Sequence, residues 1–219
     1  MPSYNLKKRV GMVLSLSVLS CVSLVLQAKT LTIVDQFGKP LEHAVVELLQ
    51  STVQQQPVTK TPAIMDQVQK RFAPKLLTIV KGQQVSFPNS DDIRHHVYSF
   101  SPAKPFELKL YAGTPKAPIT FEQPGVVVLG CNIHDSMVGY IYIAQSSAHF
   151  VSDAQGRVTL PDTATSYLLW HPEQANEIIE RTEHDWPAGS HSNSKVEIKL
   201  TKPAARNTFG EMFKEHHGN

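Results

Sequence analysis

Cysteine is scarce in this chain, with two among 219 residues, and tryptophan is equally rare. Two cysteines exclude a disulfide-dense scaffold, so an apolar core has to hold the fold. Sustained helical periodicity is missing, which argues against a bundle. An uninterrupted apolar run of membrane-spanning length is also missing: the stretch from Val10 to Leu26 is broken by four serines. There is no phosphate-binding loop, no nucleophilic-serine elbow and no dinucleotide fingerprint. No hydrolytic constellation emerges, and the chain does not read as an enzyme.

Positive charge is thin as well. The formal net charge is +2, and it depends on Lys7, Lys8 and Arg9. These three open the stretch "KKRVGMVLSLSVLSCVSLVLQA", a basic region followed by an apolar one and the small residue Ala28. That is the pattern of a secretory signal peptide over residues 1–28. Alternatives are a retained anchor or acylation at Cys21. Without the three cations the remainder carries one acid in excess. No basic stripe is left to bind nucleic acid. On that reading the protein is expected in the periplasm, with no stable membrane anchor after cleavage and with Cys131 as a lone thiol. In an oxidising compartment such a thiol is buried and inert, paired with another chain, or held by a metal.

What the chain has in quantity is short β-type runs between turns. "TLTIVD" and "AVVELL" flank "QFGKP", where Gly38 suits positive φ. "STVQQQPVTKTP" reads as a connection. "LLTIV", "QQVSF", "HHVYSF", "FELKLYA", "GVVVLG" and "VGYIYIA" follow, then "HFVSDAQGRVTLP", "SYLLW" and "KVEIKL". "PEQANEIIERTE" is the one stretch that suggests a turn of helix. The expected class is all-β. Residues 29–50 supply about two strands, too few to bury a face alone. The chain is therefore expected to comprise a small sandwich of 29–60 with 148–201, a second unit of 64–146 inserted into it or packed on it, and a tail over 202–219.

Chemistry concentrates in "VVVLGCNIHDSMVGYIYIA". Cys131, His134 and Met137 recur at every third residue in a tight loop between two strands. A thiolate, an imidazole and a thioether form a soft donor set that is expected to suit copper better than zinc, magnesium or calcium. A His₂Cys plane with a long axial methionine is the blue-copper arrangement, and it needs a second histidine. "FPNSDDIRHHVYSF" offers His95 and His96, which project to opposite faces of a strand, so one of the two can serve.

"VSFPNSDDIRHHVYSF" followed by "GCNIHDSM" resembles the cupredoxins, most closely the amicyanin type. The resemblance covers about residues 70–145. It implies a Greek-key β-sandwich and one mononuclear type 1 copper. It also implies that the histidine six residues after Asn89, His95, joins Cys131, His134 and an axial Met137. The sequence departs from the family at Arg94, at His96 and at Gly130. Where the family ties its ligand loops together through an asparagine after the first histidine, Asn132 is the candidate here. The flanks "TIVDQFGKPLEHAVVEL" and "FVSDAQGRVTLPD" resemble carboxypeptidase-regulatory or transthyretin-like modules. The whole pattern is similar to periplasmic proteins labelled "methylamine utilization protein". The implied function is electron transfer with a redox partner protein that the sequence does not name. Rival readings are a copper carrier or store, and a non-redox interaction module with a degenerate metal site.

The remaining candidates have plainer readings. Asp91, Asp92 and Asp135 read as solvated turn residues. Met65 reads as core or as a cap over the site, Trp170 and His171 as packing for the first sandwich, and His216 and His217 as tail.

Overall fold

The computed structural model describes residues 28–49, 59–188 and 192–201. The signal segment before residue 28, Cys21, most of the connection at 50–58 and the tail from 202 lie outside the described residues. So do His216 and His217. All regular structure among the described residues is β. The stretch expected to hold a helical turn, Pro172 to Glu183, instead forms successive tight turns running into the strand Thr182–Asp185. No helix among the described residues is long and apolar enough to cross a membrane.

Both N-terminal strands find their partners at the far end of the chain. Ala28–Asp35 lies between Arg157–Pro161, antiparallel, and Asn193–Ile198, parallel. Val45–Leu48 lies between His149–Val151 and Ser166–Trp170, with Thr182–Asp185 at the edge. The two sheets face each other across Leu31, Ile33, Val46, Leu48, Val158, Leu160, Tyr167 and Leu169. This is the burial that neither end of the chain achieves alone.

Turn chemistry repeats in this sandwich. Asp35 Oδ1 accepts from the Phe37 and Lys39 N–H groups at 2.8 Å each. Asp153 Oδ1 accepts from Gln155 and Arg157 at 2.9 Å each. Each aspartate leads to a glycine in the left-handed region, Gly38 at φ 80° and Gly156 at φ 70°. A Cβ on Gly156 would meet Ile33 O at 2.3 Å, so this turn is docked against the neighbouring strand.

Between these strands in sequence, residues 63–144 build a second pair of sheets. One has five strands in the order Leu76–Val80, Val138–Ala144, Gly125–Cys131, His95–Ser99, Phe106–Tyr111. The other joins Ile119–Thr120, Gln84–Ser86 and Ala63–Ile64. A hairpin of Asp66–Val68 and Arg71–Ala73 stands beside them. Their shared core holds Phe87, Phe121, Val97, Val127, Leu129, Ile141 and Ile143. Met65 is fully buried in it, as core.

The strand Val138–Ala144 is buried on both faces. Ile141 and Ile143 enter the core just named, while Tyr142 and Ala144 join Val45, Val126 and Trp170 in a third cluster between the two sandwiches. Trp170 packs against Val45 of the first sandwich and also reaches the second, its ring meeting Tyr140 at 5.7 Å and Tyr142 at 5.9 Å. Glu47 is buried at the same junction. It accepts from Tyr142 Oη at 2.8 Å and from the Gln145 N–H at 2.6 Å, and Arg181 lies 3.3 Å away. Burial, with Glu47 next, pushes the Tyr142 hydroxyl pKa far up. The carboxylate is thus paired on each oxygen, as a buried charge requires.

Candidate metal centre

Strand pairing brings two distant segments together. Cys131 ends the strand Gly125–Cys131 and stands opposite Val97, with Gly130 opposite Tyr98. Alternation then decides which side chains meet. Val127, Leu129 and Cys131 point into the core from one strand, and His95 and Val97 do so from the next. His95 is fully buried, and Cys131 is 3% exposed. His96 faces the other way. Its Nε2 lies 2.9 Å from Glu107 Oε1, and its ring packs on Tyr98.

The loop after Cys131 folds back on itself. Met137 N–H donates to His134 O at 2.9 Å, which closes a turn and holds the His134 ring over the strand end. The His95 and His134 ring centroids are 5.1 Å apart. His95 Nδ1 lies 3.7 Å from Cys131 Sγ, and His134 Nδ1 lies 3.9 Å from it. The three ligand atoms all lie within 4.8 Å of one another. Met137 is 1% exposed and packs in the same core cluster as Cys131.

These spacings provide a test of fit. An ion about 2.0–2.1 Å from two imidazole nitrogens and about 2.3 Å from a thiolate, in one trigonal plane, needs N···S separations of about 3.8 Å. The observed 3.7 and 3.9 Å agree with those two separations. Two imidazoles and one thiolate with a thioether nearby form the donor set that selects copper. The residues present fit that ion.

Supports for His95 come from Asn89, Tyr111 and Asp91, none of which the sequence assigned to that role. Asn89, 5% exposed, donates from Nδ2 to Ile93 O at 2.8 Å and to Tyr111 O at 2.9 Å, and its Oδ1 accepts the Asp91 N–H. Tyr111, opposite His95, donates to Phe87 O at 2.7 Å, and burial pushes its pKa up to about 12. Asp91 is not a solvated turn residue. Its Oδ2 lies 2.7 Å from His95 Nε2 and accepts the Lys70 N–H, while its Oδ1 accepts the Gln69 N–H. Burial favours the neutral form, but the hydrogen bonds from Lys70, His95 and Gln69 outweigh it, and the carboxyl lies below the usual carboxylate value. One cue was available in the sequence: an acid four residues before a ligand histidine, inside a turn.

Asn132, the expected tie between ligand loops, is exposed and lines a groove with His96, Tyr98 and Glu107. Among the described residues its side chain makes no hydrogen bond to the His95 strand. Asp92 and Asp135 are exposed, as expected. Gly130 has a steric reason: a Cβ there would lie 2.7 Å from the Tyr98 ring, which covers the backbone just before Cys131.

No protein-family model matches this chain, and no curated protein matches it. Copper proteins are among the solved structures similar to part of it. An amicyanin variant in its reduced Cu(I) form is 16% identical over 39% of this chain and 85% of its own, with a TM-score of 0.34. A purple cupredoxin from Nitrosopumilus maritimus is 21% identical over 37% of this chain and 99% of its own, at 0.33. A copper-containing nitrite reductase from Thermus scotoductus is 24% identical at 0.36, covering 52% of this chain and 28% of the reductase. None of these ties the chain to proteins labelled for methylamine utilization. The functional reading rests on the ligand geometry and not on these likenesses.

Proposed function

We propose that this chain is a periplasmic electron-transfer protein carrying one mononuclear type 1 copper, which His95, Cys131 and His134 would hold, with Met137 as a fourth donor. One observation carries the reading: two imidazole Nδ1 atoms at 3.7 and 3.9 Å from a buried cysteine sulfur, the spacing of a trigonal copper plane. Bound copper supplies a one-electron couple that a thiolate and two imidazoles can hold in both states. The residues supply rigidity. Cys131 is fixed by strand pairing, His95 by burial and by Asp91, and His134 by the closed turn to Met137. Little then has to move when the charge changes. His134 is only half-buried, while His95 is sealed, so the His134 side is the natural port for an electron.

The test is to add Cu(II) to the purified protein and record the visible spectrum. An intense thiolate-to-copper band, bleached by reductant and restored by oxidant at one copper per chain, is the expected result. Stoichiometric Cu(I) binding without colour, exchanging quickly with a chelator, would favour a carrier. Failure to take up copper would leave a degenerate site.

A further inference from the structure

We infer that Asp91 is a positioning residue for His95 and tilts the site toward the more highly charged copper state; this rests on the copper reading above. The argument begins with the ring. His95 has two nitrogens, and Nδ1 faces Cys131 Sγ at 3.7 Å. Nε2 faces Asp91 Oδ2 at 2.7 Å. An ionised carboxylate only accepts, so the proton sits on Nε2 and the Nδ1 lone pair is directed at the sulfur. Tautomer and ring angle are settled together by one contact.

The carboxylate is itself held on three sides. Gln69 N–H donates to Oδ1 at 2.5 Å and Lys70 N–H to Oδ2 at 2.9 Å. Both donors sit at the tip of the hairpin Asp66–Val68/Arg71–Ala73, at φ 52° and 59°. Two successive left-handed residues aim their N–H groups at one acid. Asp91 N–H in turn bonds Asn89 Oδ1, and the Asn89 amide grips Ile93 O and Tyr111 O. The Asp91 side chain is 11% exposed, set between the hairpin tip and His95.

A carboxylate on the far nitrogen of a ligand imidazole raises the basicity of the near one and places negative charge beside the ion. Both effects favour Cu(II) over Cu(I). Losing such a partner costs about 10–100-fold in metal affinity. Asp35 and Asp153 also cap turns by accepting backbone N–H groups, but neither contacts a metal ligand. Turn capping alone therefore does not account for the second contact that Asp91 makes.

The experiment uses the full chain loaded with copper, in wild-type, Asp91→Asn and Asp92→Asn forms, the last removing the same charge from an exposed neighbour. Asp91→Asn should keep the thiolate band but lose about tenfold or more in Cu(II) affinity relative to Cu(I). Each tenfold raises the one-electron potential by about 59 mV. Asp92→Asn should leave the potential where it was. Equal potentials for the two variants would overturn the inference. Should Asp91→Asn fail to fold, nitrogen-15 NMR of the copper-free wild-type protein decides. A His95 ring protonated on Nε2 and slow to exchange supports the inference, and one protonated on Nδ1 overturns it. A wild-type chain that takes up no copper removes the parent reading and this inference with it. A coloured wild type with an unresponsive Asp91→Asn removes this inference alone.

Discussion

Among the described residues each sandwich buries one histidine, and the two are used differently. His171, 4% exposed, has both ring nitrogens occupied: Nε2 lies 3.1 Å from Glu42 O, and Nδ1 accepts the Glu173 N–H at 3.1 Å. His95, fully buried, spends Nε2 on Asp91 and leaves Nδ1 facing a thiol. Glu47, at the junction of the two sandwiches, likewise spends both its oxygens, on Tyr142, Gln145 and Arg181. Around His95 the polar groups converge and leave Nδ1 in reserve. Burial alone therefore does not mark a functional histidine. The mark is a buried heteroatom left available to a ligand while the rest of the group is tied down.

The sharpest break of this comparison is to remove each histidine in turn. His95→Ala or Cys131→Ser should abolish the copper–thiolate absorption altogether, whereas His171→Ala should keep it. His171→Ala leaves Glu42 O and the Glu173 N–H without their partner and should cost about 1–3 kcal/mol in denaturant unfolding. A colourless His171→Ala that is still folded would erase the distinction.

Separating the two sandwiches comes next. A fragment spanning 64–146 contains all four proposed ligands and their core. It is expected to bind copper at one per chain but to unfold at lower denaturant than the full protein, because Val126, Tyr142 and Ala144 lose the cover of Val45 and Trp170. An unfolded fragment would show that the two sandwiches are one cooperative unit. Within the whole protein, Trp170→Ala should cost about 3–5 kcal/mol while the visible spectrum stays in place.

Two smaller effects sharpen the contrast. Gly130→Ala drives a methyl group against the Tyr98 ring. It should cost about 1–3 kcal/mol and perturb the colour, and Tyr98→Ala in the same chain should relieve most of that cost. The smallest effect is on pH. Burial lowers the pKa of His171 and His184 below their ordinary 6.5. The unfolded chain therefore takes up protons that the folded sandwich refuses. Stability that is present above about pH 6.5 should be lost gradually as pH falls through the lowered folded values. In His171→Ala this slope should become shallower, as read by urea midpoints across that range.

The all-β class and the gathering of Cys131, His134 and Met137 in one loop were legible in the sequence because both are local. Strand alternation and turn residues recur within a few positions, and Cys131, His134 and Met137 sit in one loop whose ends are strands. Asp91 was legible only through its place four residues before His95, because its partners Gln69 and Lys70 come from a hairpin tip some twenty residues upstream. A turn aspartate bonded to such donors looks the same in sequence as Asp35 or Asp153. Trp170 was half legible. Its burial followed from composition, but its contact with Tyr140 and Tyr142 depends on how two sandwiches meet. Asn132 was misread because the loop turns its side chain outward, and the bracing falls to Asn89 and Asp91 on the other segment.

The parallel pairing of Ala28–Asp35 with Asn193–Ile198 has a mechanical consequence. Their register runs from Thr30 opposite Asn193 to Asp35 opposite Ile198. Tension applied between residues 28 and 198 would pull these neighbouring strands past each other in shear, loading their hydrogen bonds at once and not one after another. The segment that carries His95, Cys131 and His134 hangs from the first sandwich outside that load path. Stretching the chain would strain the clasp first and reach the donor cluster only after the clasp had given way.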